Sequence, residues 1–111
     1  MSQKTITIVN DFSKKPYGRY EEDGDGNGGR FRTDFLAPAL RTYDHVTVDL
    51  TGYNRYGRSF IDEAFGGLIR YENFTKDDLD KKLTYKHDNL PSILLLIEDR
   101  INAAVEDYGN K

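Results

Sequence analysis

Three short segments of the chain alternate apolar and polar residues, which is the pattern of a half-buried β-strand. Residues 5–10 alternate β-branched and polar side chains, and residues 45–50 place Val46, Val48 and Leu50 on one face. Residues 83–87 form a shorter segment of the same kind, which favours an edge strand. The sequence therefore predicts three strands.

Helical spacing of apolar residues follows each of the first two predicted strands. Residues 30–43 have this spacing, although Pro38 lacks a backbone N–H and should break or kink the helix. Residues 59–70 repeat apolar side chains at i, i+3, i+4, i+7 and i+8, which is the pattern of an amphipathic helix. Ser59 is predicted to be the N-cap of this helix, with Asp62 in its first turn.

A further amphipathic helix is predicted over residues 90–108, with Tyr108 closing its buried stripe. The predicted elements therefore alternate between strand and helix along the chain. Short strands joined by crossover helices form parallel sheets. We expect one α/β domain over residues 1–111, with a small, mainly parallel sheet and two to four helices packed on it.

Two polar segments, residues 11–29 and 51–58, are predicted to be loops, the first with room for a hairpin. Each follows a predicted strand, and the carboxyl ends of parallel strands meet at one edge of a sheet. The two loops should therefore converge there. Their meeting is expected to bring together Arg19, Tyr20, Asp23, Arg30, Arg58 and Ser59.

Composition limits the classes of protein to which this chain can belong. With 111 residues, 37% of them hydrophobic, the chain can enclose one core and is too apolar to be disordered. It has no cysteine, which excludes a disulfide framework, a thiolate zinc site and a cysteine nucleophile. Its net charge of −3 argues against general nucleic-acid binding, and no apolar run approaches the ~20 residues of a membrane span. We expect a cytoplasmic protein without membrane binding or a cofactor.

Residues 58–70 read Arg-Ser-Phe-Ile-Asp-Glu-Ala-Phe-Gly-Gly-Leu-Ile-Arg and follow directly after the second predicted strand and its loop. This segment resembles the second strand and helix region of STAS domains, the fold of anti-sigma-factor antagonists. From Ile6 to about Ile101 the chain is similar to the STAS-like domain family of unknown function. The motifs that carry this resemblance are Gly18-Arg19-Tyr20, Asp23-Gly24, Gly28, Phe31-Arg32, Leu36-Ala37-Pro38-Ala39-Leu40 and residues 59–67.

The resemblance implies a regulatory or adaptor module, bacterial or from a phage, that binds a protein and performs no catalysis. In the related anti-sigma systems the partner is a histidine-kinase-like ATPase. Anti-sigma antagonists have a phosphorylatable Asp-Ser-Ser-Gly at this helix start, whereas this chain has Glu63 and Ala64 at the aligned positions. The phosphorylation switch is therefore missing at that position. Two roles remain for Ser59, which are a helix cap and a phosphorylation site. The partner-binding residues implied are Arg19, Tyr20, Arg58, Ser59, Asp62, Glu63, Gly66, Gly67 and Arg70.

Gly66 and Gly67 lie inside the predicted helix, where each costs about 1 kcal/mol relative to alanine. A glycine has no side chain, so another group can approach the helix closely, and this contact would compensate for the cost. The glycines share a helix face with Asp62 and Glu63, opposite the apolar stripe. This placement favours an exposed, flat surface for a partner, and tight packing against a neighbouring element is the alternative.

The glycine-rich segment 23–29 supports a competing hypothesis, which is a small-ligand binding domain or an enzyme that holds a phosphate or nucleotide through backbone amides. The residues involved would be Asp23, Gly24, Gly28, Arg30 and Arg32. A calcium loop is a weaker alternative, because position twelve is an aspartate and the preceding residues make a poor entering helix. Its ligands would be Asp23, Asp25, Asn27 and Asp34.

Residues suited to catalysis are few in this sequence. His45 and His87 lie near strand ends without an evident nucleophile or carboxylate partner, so both are expected to be surface or structural residues. Asp62 and Glu63 are adjacent on a helix and project about 100° apart, which argues against a shared acid/base pair. The sequence therefore indicates binding in preference to an enzyme.

Overall fold

The computed structural model describes residues 2–108. Strands β1 (Gln3–Thr7), β2 (His45–Asp49) and β3 (Leu83–Lys86) form a parallel sheet in the order β1-β2-β3. Ile6 lies beside Val48, which lies beside Tyr85 on the edge strand. The predicted α/β class, the parallel sheet and the edge position of the third strand are confirmed.

Two long helices follow the first two strands, and each contains a π-helical segment. Helix α1 covers residues 28–42 and consists of Gly28–Phe31, the π segment Arg32–Leu36 and Ala37–Thr42. Helix α2 covers residues 58–71 and consists of Arg58–Ile61, the π segment Asp62–Gly66 and Gly67–Tyr71. The remaining helices are α3 (Lys76–Lys82) and α4 (Pro91–Tyr108), and short turns form at Ile8–Phe12 and Glu21–Asp23.

The first strand and loop differ from the predicted bounds. β1 ends at Thr7, whose backbone N–H donates to Oδ2 of Asp11 at 2.8 Å, because the chain turns there in a π-helical turn. Helix α1 begins at Gly28, where the Asn27 side chain accepts a hydrogen bond from the backbone N–H of Arg30 at 2.8 Å. The connection between β1 and α1 therefore covers residues 8–27 in place of the predicted 11–29, and within residues 2–108 it contains no hairpin.

Pro38 does not break α1, so the break that the sequence suggested as one of two effects is absent. Ala37 keeps right-handed helical backbone angles, and its N–H donates to the carbonyl of Arg32 across the π segment. The wider π turn shifts the hydrogen-bond pattern directly before Pro38, so the helix continues past the missing donor.

Helix α2 begins one residue earlier than predicted. Gly57 is the N-cap, with its carbonyl accepting from the N–H of Ile61 at 3.2 Å, and no side chain caps the helix. Ser59 is the second helical residue, so its predicted capping role is wrong.

Helix α3 was not predicted, because Leu79 is the one buried residue of its seven and no apolar stripe is present. A capping box begins it: Thr75 Oγ1 accepts from the N–H of Asp78, and Asp78 Oδ2 accepts from the N–H of Thr75. The Thr-x-x-Asp spacing was the available sequence signal.

The core lies between the sheet and the helices, with α2 contacting both α1 and α4. The alternating residues of β2, Val46 and Val48, are fully buried. Ile97 and Ile101 give α4 its predicted buried stripe, but Tyr108, the last residue of the helix, is exposed. Within residues 2–108, no helix is sufficiently long and apolar to cross a bilayer.

Candidate functional site

The loop after β1 meets helix α2 through Arg19 and Asp62, as the predicted convergence requires. Nη1 of Arg19 lies 2.7 Å from Oδ2 of Asp62. The loop is held in shape by Asp23, whose Oδ2 accepts from the backbone N–H groups of Arg19 and Tyr20 at 2.9 and 3.3 Å. Two segments distant in the sequence are thus joined at one position.

Asp62 is only 5% exposed and is surrounded by arginines. Arg70 binds it with both terminal nitrogens, each 3.1 Å from a carboxylate oxygen. Nη1 of Arg100 on α4 lies 3.5 Å from Oδ1. A buried carboxylate is retained in proteins when such partners satisfy its oxygens.

The neighbouring Glu63 is 3% exposed; its Oε1 lies 3.5 Å from Nη1 of Arg19, and a further arginine, Arg32, binds it more closely. Nη1 of Arg32 lies 2.9 Å from Oε2 of Glu63 and 2.6 Å from its backbone carbonyl oxygen. Nε of Arg32 donates to Glu72 at 3.1 Å, which extends the ion pairs to the end of α2. We call the whole set the arginine–carboxylate cluster; it comprises Arg19, Arg32, Arg70, Arg100, Asp62, Glu63 and Glu72.

The ionisation of the cluster follows from its contacts. Burial by itself would raise the pKa of Asp62, but the hydrogen bonds from Arg19 and Arg70 outweigh it and hold that pKa below its usual value. The hydrogen bond to Asp62 in turn raises the pKa of Arg19. Both groups therefore stay charged, which suits a structural role and not proton transfer.

The expected exposure of Asp62, Glu63, Gly66 and Gly67 is wrong, because all four residues are buried under arginine side chains. A Cβ atom at Gly67 would lie 2.2 Å from Nη1 of Arg32. One at Gly66 would lie 3.2 Å from the carbonyl oxygen of Arg100. The close-packing interpretation of the two glycines is therefore the correct one.

Four residues of the predicted partner surface remain accessible. Arg58 and Ser59 are exposed, Tyr20 is 51% exposed, and Arg19 is partly exposed, while Arg70 is mostly covered by the cluster. Tyr17 is 61% exposed and was missed, although its place in the same predicted loop was a usable signal. A depression of about 180 Å³ at the start of α2 is lined by Tyr17, Gly18, Asp23, Gly57, Arg58, Ser59 and Phe60.

Three of the four residues proposed as calcium ligands have separate roles in the structure. The Asp23 carboxylate accepts the two loop amides described above, and Asn27 caps α1. Asp34 faces Arg30, with Oδ2 3.6 Å from Nε. Across residues 2–108, no three carboxylate or imidazole side chains are grouped so that they could hold a metal ion.

The arginines of the phosphate hypothesis border one open cleft of about 610 Å³. Arg19, Arg30 and Arg32 line it, although Arg32 is buried in the cluster and Gly28 is covered by α2. Gly24 lies away from this cleft, in a groove that it shares with Asp23. Four carboxylates line the same cleft, which are those of Glu21, Glu22, Asp34 and Glu63.

The two histidines lie away from the cluster. His87 is buried, and its Nδ1 accepts from the backbone N–H groups of Asn89 and Leu90 at 3.1 Å each. Nε2 must then carry the proton and donate to the carbonyl of Tyr53 at 3.0 Å. His87 thus holds the turn that precedes helix α4, which is a structural role, as expected. His45 contacts Thr84 near the surface.

The fold and this site define a small α/β domain whose carboxyl-edge loop is fastened to α2 by buried ion pairs. Residues 27–92 match the family model described as a STAS-like domain of unknown function, so the chain belongs to that family. The matched range is narrower than the expected one, and Gly18-Arg19-Tyr20 and Asp23-Gly24 lie outside it. No solved structure matches the chain significantly.

Proposed function

We propose that this chain is a non-enzymatic regulatory or adaptor module that binds a protein partner at one exposed face. We call this the docking face and define it by Tyr17, Tyr20, Arg55, Arg58 and Ser59. It comprises the loop after β1, the loop after β2 and the first turn of α2. The docking face leaves out the predicted partner residues of α2 that the arginine–carboxylate cluster covers.

The observation that carries the proposal is the pair of exposed tyrosines on an anchored loop. Tyr17 and Tyr20 are 61% and 51% exposed, and the intervening Arg19 is tied to Asp62. Tyrosine and arginine are enriched at the centres of protein interfaces. A loop that is already ordered loses less conformational entropy on binding, which favours affinity.

The available acid and base groups support binding over catalysis. Asp62 and Glu63 are each paired with arginine, and His87 accepts two backbone hydrogen bonds. Each of these groups makes contacts that stabilise the fold.

A histidine-kinase-like ATPase is the partner class suggested by the resemblance to anti-sigma antagonists. At the positions aligned with their phosphorylatable serine, Glu63 and Ala64 are buried, so a kinase acting there would find no accessible hydroxyl. Ser59 is the exposed hydroxyl nearest the helix start. If phosphorylation controls this module, we expect it at Ser59.

Affinity capture from an extract of the native host tests the proposal. Wild-type protein should retain a specific partner, and the double variant Tyr17→Ala/Tyr20→Ala should lose it. Leu95→Ala is the matched control, because Leu95 is an equally exposed apolar side chain on α4. Equal retention by wild type and by a folded Tyr17→Ala/Tyr20→Ala variant would show that the docking face is not the binding surface.

Binding of a small anion near residues 23–29 is the second candidate function. The cleft lined by Arg19, Arg30 and Arg32 is the observation that favours it. We rank it lower because the carboxylates of the same cleft oppose an anion. A rise in the melting temperature with ATP or inorganic phosphate would reverse this ranking.

A further inference from the structure

The basic side chains without a partner are concentrated at one edge of the molecule. In residues 2–108 most lysines and arginines bind a carboxylate or a carbonyl oxygen. The exceptions among these residues are Lys4, Lys14, Lys15, Arg55 and Arg58. All of them except Lys4 lie on the docking face or next to it.

These cations border two adjoining depressions. Lys14, Lys15 and Arg55 line an open groove of about 780 Å³ between the loop after β1 and the loop after β2. Arg58 lines the smaller depression at the start of α2. Tyr17 and Asp23 border both, so the two depressions adjoin.

We infer that the partner presents an acidic protein segment, whose carboxylates pair with Lys14, Lys15, Arg55 and Arg58. This inference rests on the proposed function and specifies the chemistry of the partner. Cations that are unpaired in the free protein attract a complementary surface and fix its orientation. Tyr17 and Tyr53, which line the same groove, offer ring surface to the apolar parts of that segment.

Two carboxylates in the groove favour an acidic protein over a nucleic acid. Asp23 and Asp25 line it together with the cations, and the Asp25 side chain has no partner within residues 2–108. A nucleic acid would bring a phosphate charge at every nucleotide to a protein whose net charge is −3. A protein segment can instead place a lysine or arginine against Asp25 and carboxylates against the cations.

Titration of isotope-labelled protein with a glutamate-rich peptide that carries one lysine, followed by NMR at low salt, tests the inference. The amide resonances of residues 13–17 and 53–58 should shift. Lys14→Glu/Arg55→Glu should weaken the peptide's affinity by about tenfold or more. Both side chains are exposed and unpaired, so this variant should keep the wild-type melting temperature.

The control variant is Lys4→Glu/Lys81→Glu, which makes the same charge change at exposed lysines outside the docking face. It should bind the glutamate-rich peptide as the wild type does. An oligothymidylate of equal length should bind more weakly than the peptide. The inference is overturned by tighter oligothymidylate binding, by shifts elsewhere, by equal loss in the control, or by no binding of the peptide.

Failure of this inference can be distinguished from failure of the proposed function. If Lys14→Glu/Arg55→Glu still captures the native partner, the docking face stands and the acidic chemistry is wrong. If the Tyr17→Ala/Tyr20→Ala variant still captures the native partner, the docking face is not the binding surface.

Discussion

Arg70 reaches back two turns along its own helix and binds both carboxylate oxygens of Asp62 at 3.1 Å each. Gly66 lies between them on the same helix face, and a Cβ atom there would approach Nη1 of Arg70 to 2.9 Å. The missing side chain at Gly66 therefore makes room for the ion pair. Gly66 has a low helix propensity and so weakens the helix, but it permits the Arg70–Asp62 ion pair, which stabilises the tertiary fold.

Replacing Asp62 should destabilise the protein strongly. Asp62→Asn removes the charge that neutralises Arg19 and Arg70 in a buried position, so we expect the free energy of unfolding to fall by about 3 kcal/mol. Urea denaturation measures this change. Asp77→Asn, which removes an exposed partner of Lys81, should change it by less than about 0.5 kcal/mol. Equal effects of the two substitutions would contradict the structural importance of the cluster.

The stability of the protein should depend on pH through Asp62. Its pKa is lowered in the folded protein, so near and below about pH 4 the unfolded chain binds the proton more readily. The contribution of Asp62 is therefore fully present above its unfolded pKa and is lost as the pH falls through the folded pKa. Melting temperatures measured across the acid range should show a shallower pH dependence for Asp62→Asn than for wild type. Parallel curves would speak against this assignment.

Gly67→Ala separates helix propensity from packing. Propensity alone predicts a gain of about 1 kcal/mol, whereas a Cβ at this position would overlap Arg32, which is held by Glu63 and Glu72. We expect a loss of about 2 kcal/mol, measured by chemical denaturation. Gly57→Ala is the control, since nothing lies within 4 Å of its Cβ position, and it should have a smaller effect. A stabilised Gly67→Ala variant would exclude the close approach of Arg32.

The Tyr56 hydroxyl is buried without a hydrogen-bond partner in the part of the chain described, residues 2–108. Burial raises its pKa, with further contributions from Tyr53 and Asp49, so the hydroxyl stays protonated. Tyr56→Phe removes a desolvated polar group and should increase the free energy of unfolding by about 1 kcal/mol. Tyr17→Phe, at an exposed hydroxyl, should leave it unchanged. A loss of stability in Tyr56→Phe would reveal a hydrogen bond at this hydroxyl.

The elements of the fold followed from local patterns. Alternation in β2 predicted the burial of Val46 and Val48, and helical spacing predicted α2 and α4 because each buries one continuous stripe. Helix α3 lacks such a stripe, so its single buried residue, Leu79, left no periodicity to detect.

The sequence by itself determined the α/β class, the parallel sheet and the convergence of the first loop with α2, since these depend on periodicity and strand order. Only the tertiary structure decided that Asp62 and Glu63 are buried. On a helical wheel they lie on the polar face, and a wheel cannot show arginines that arrive from residues 19, 32 and 100 to cover that face. Charge pairing between distant segments has no periodic signature, and here it determined which part of the helix stays exposed.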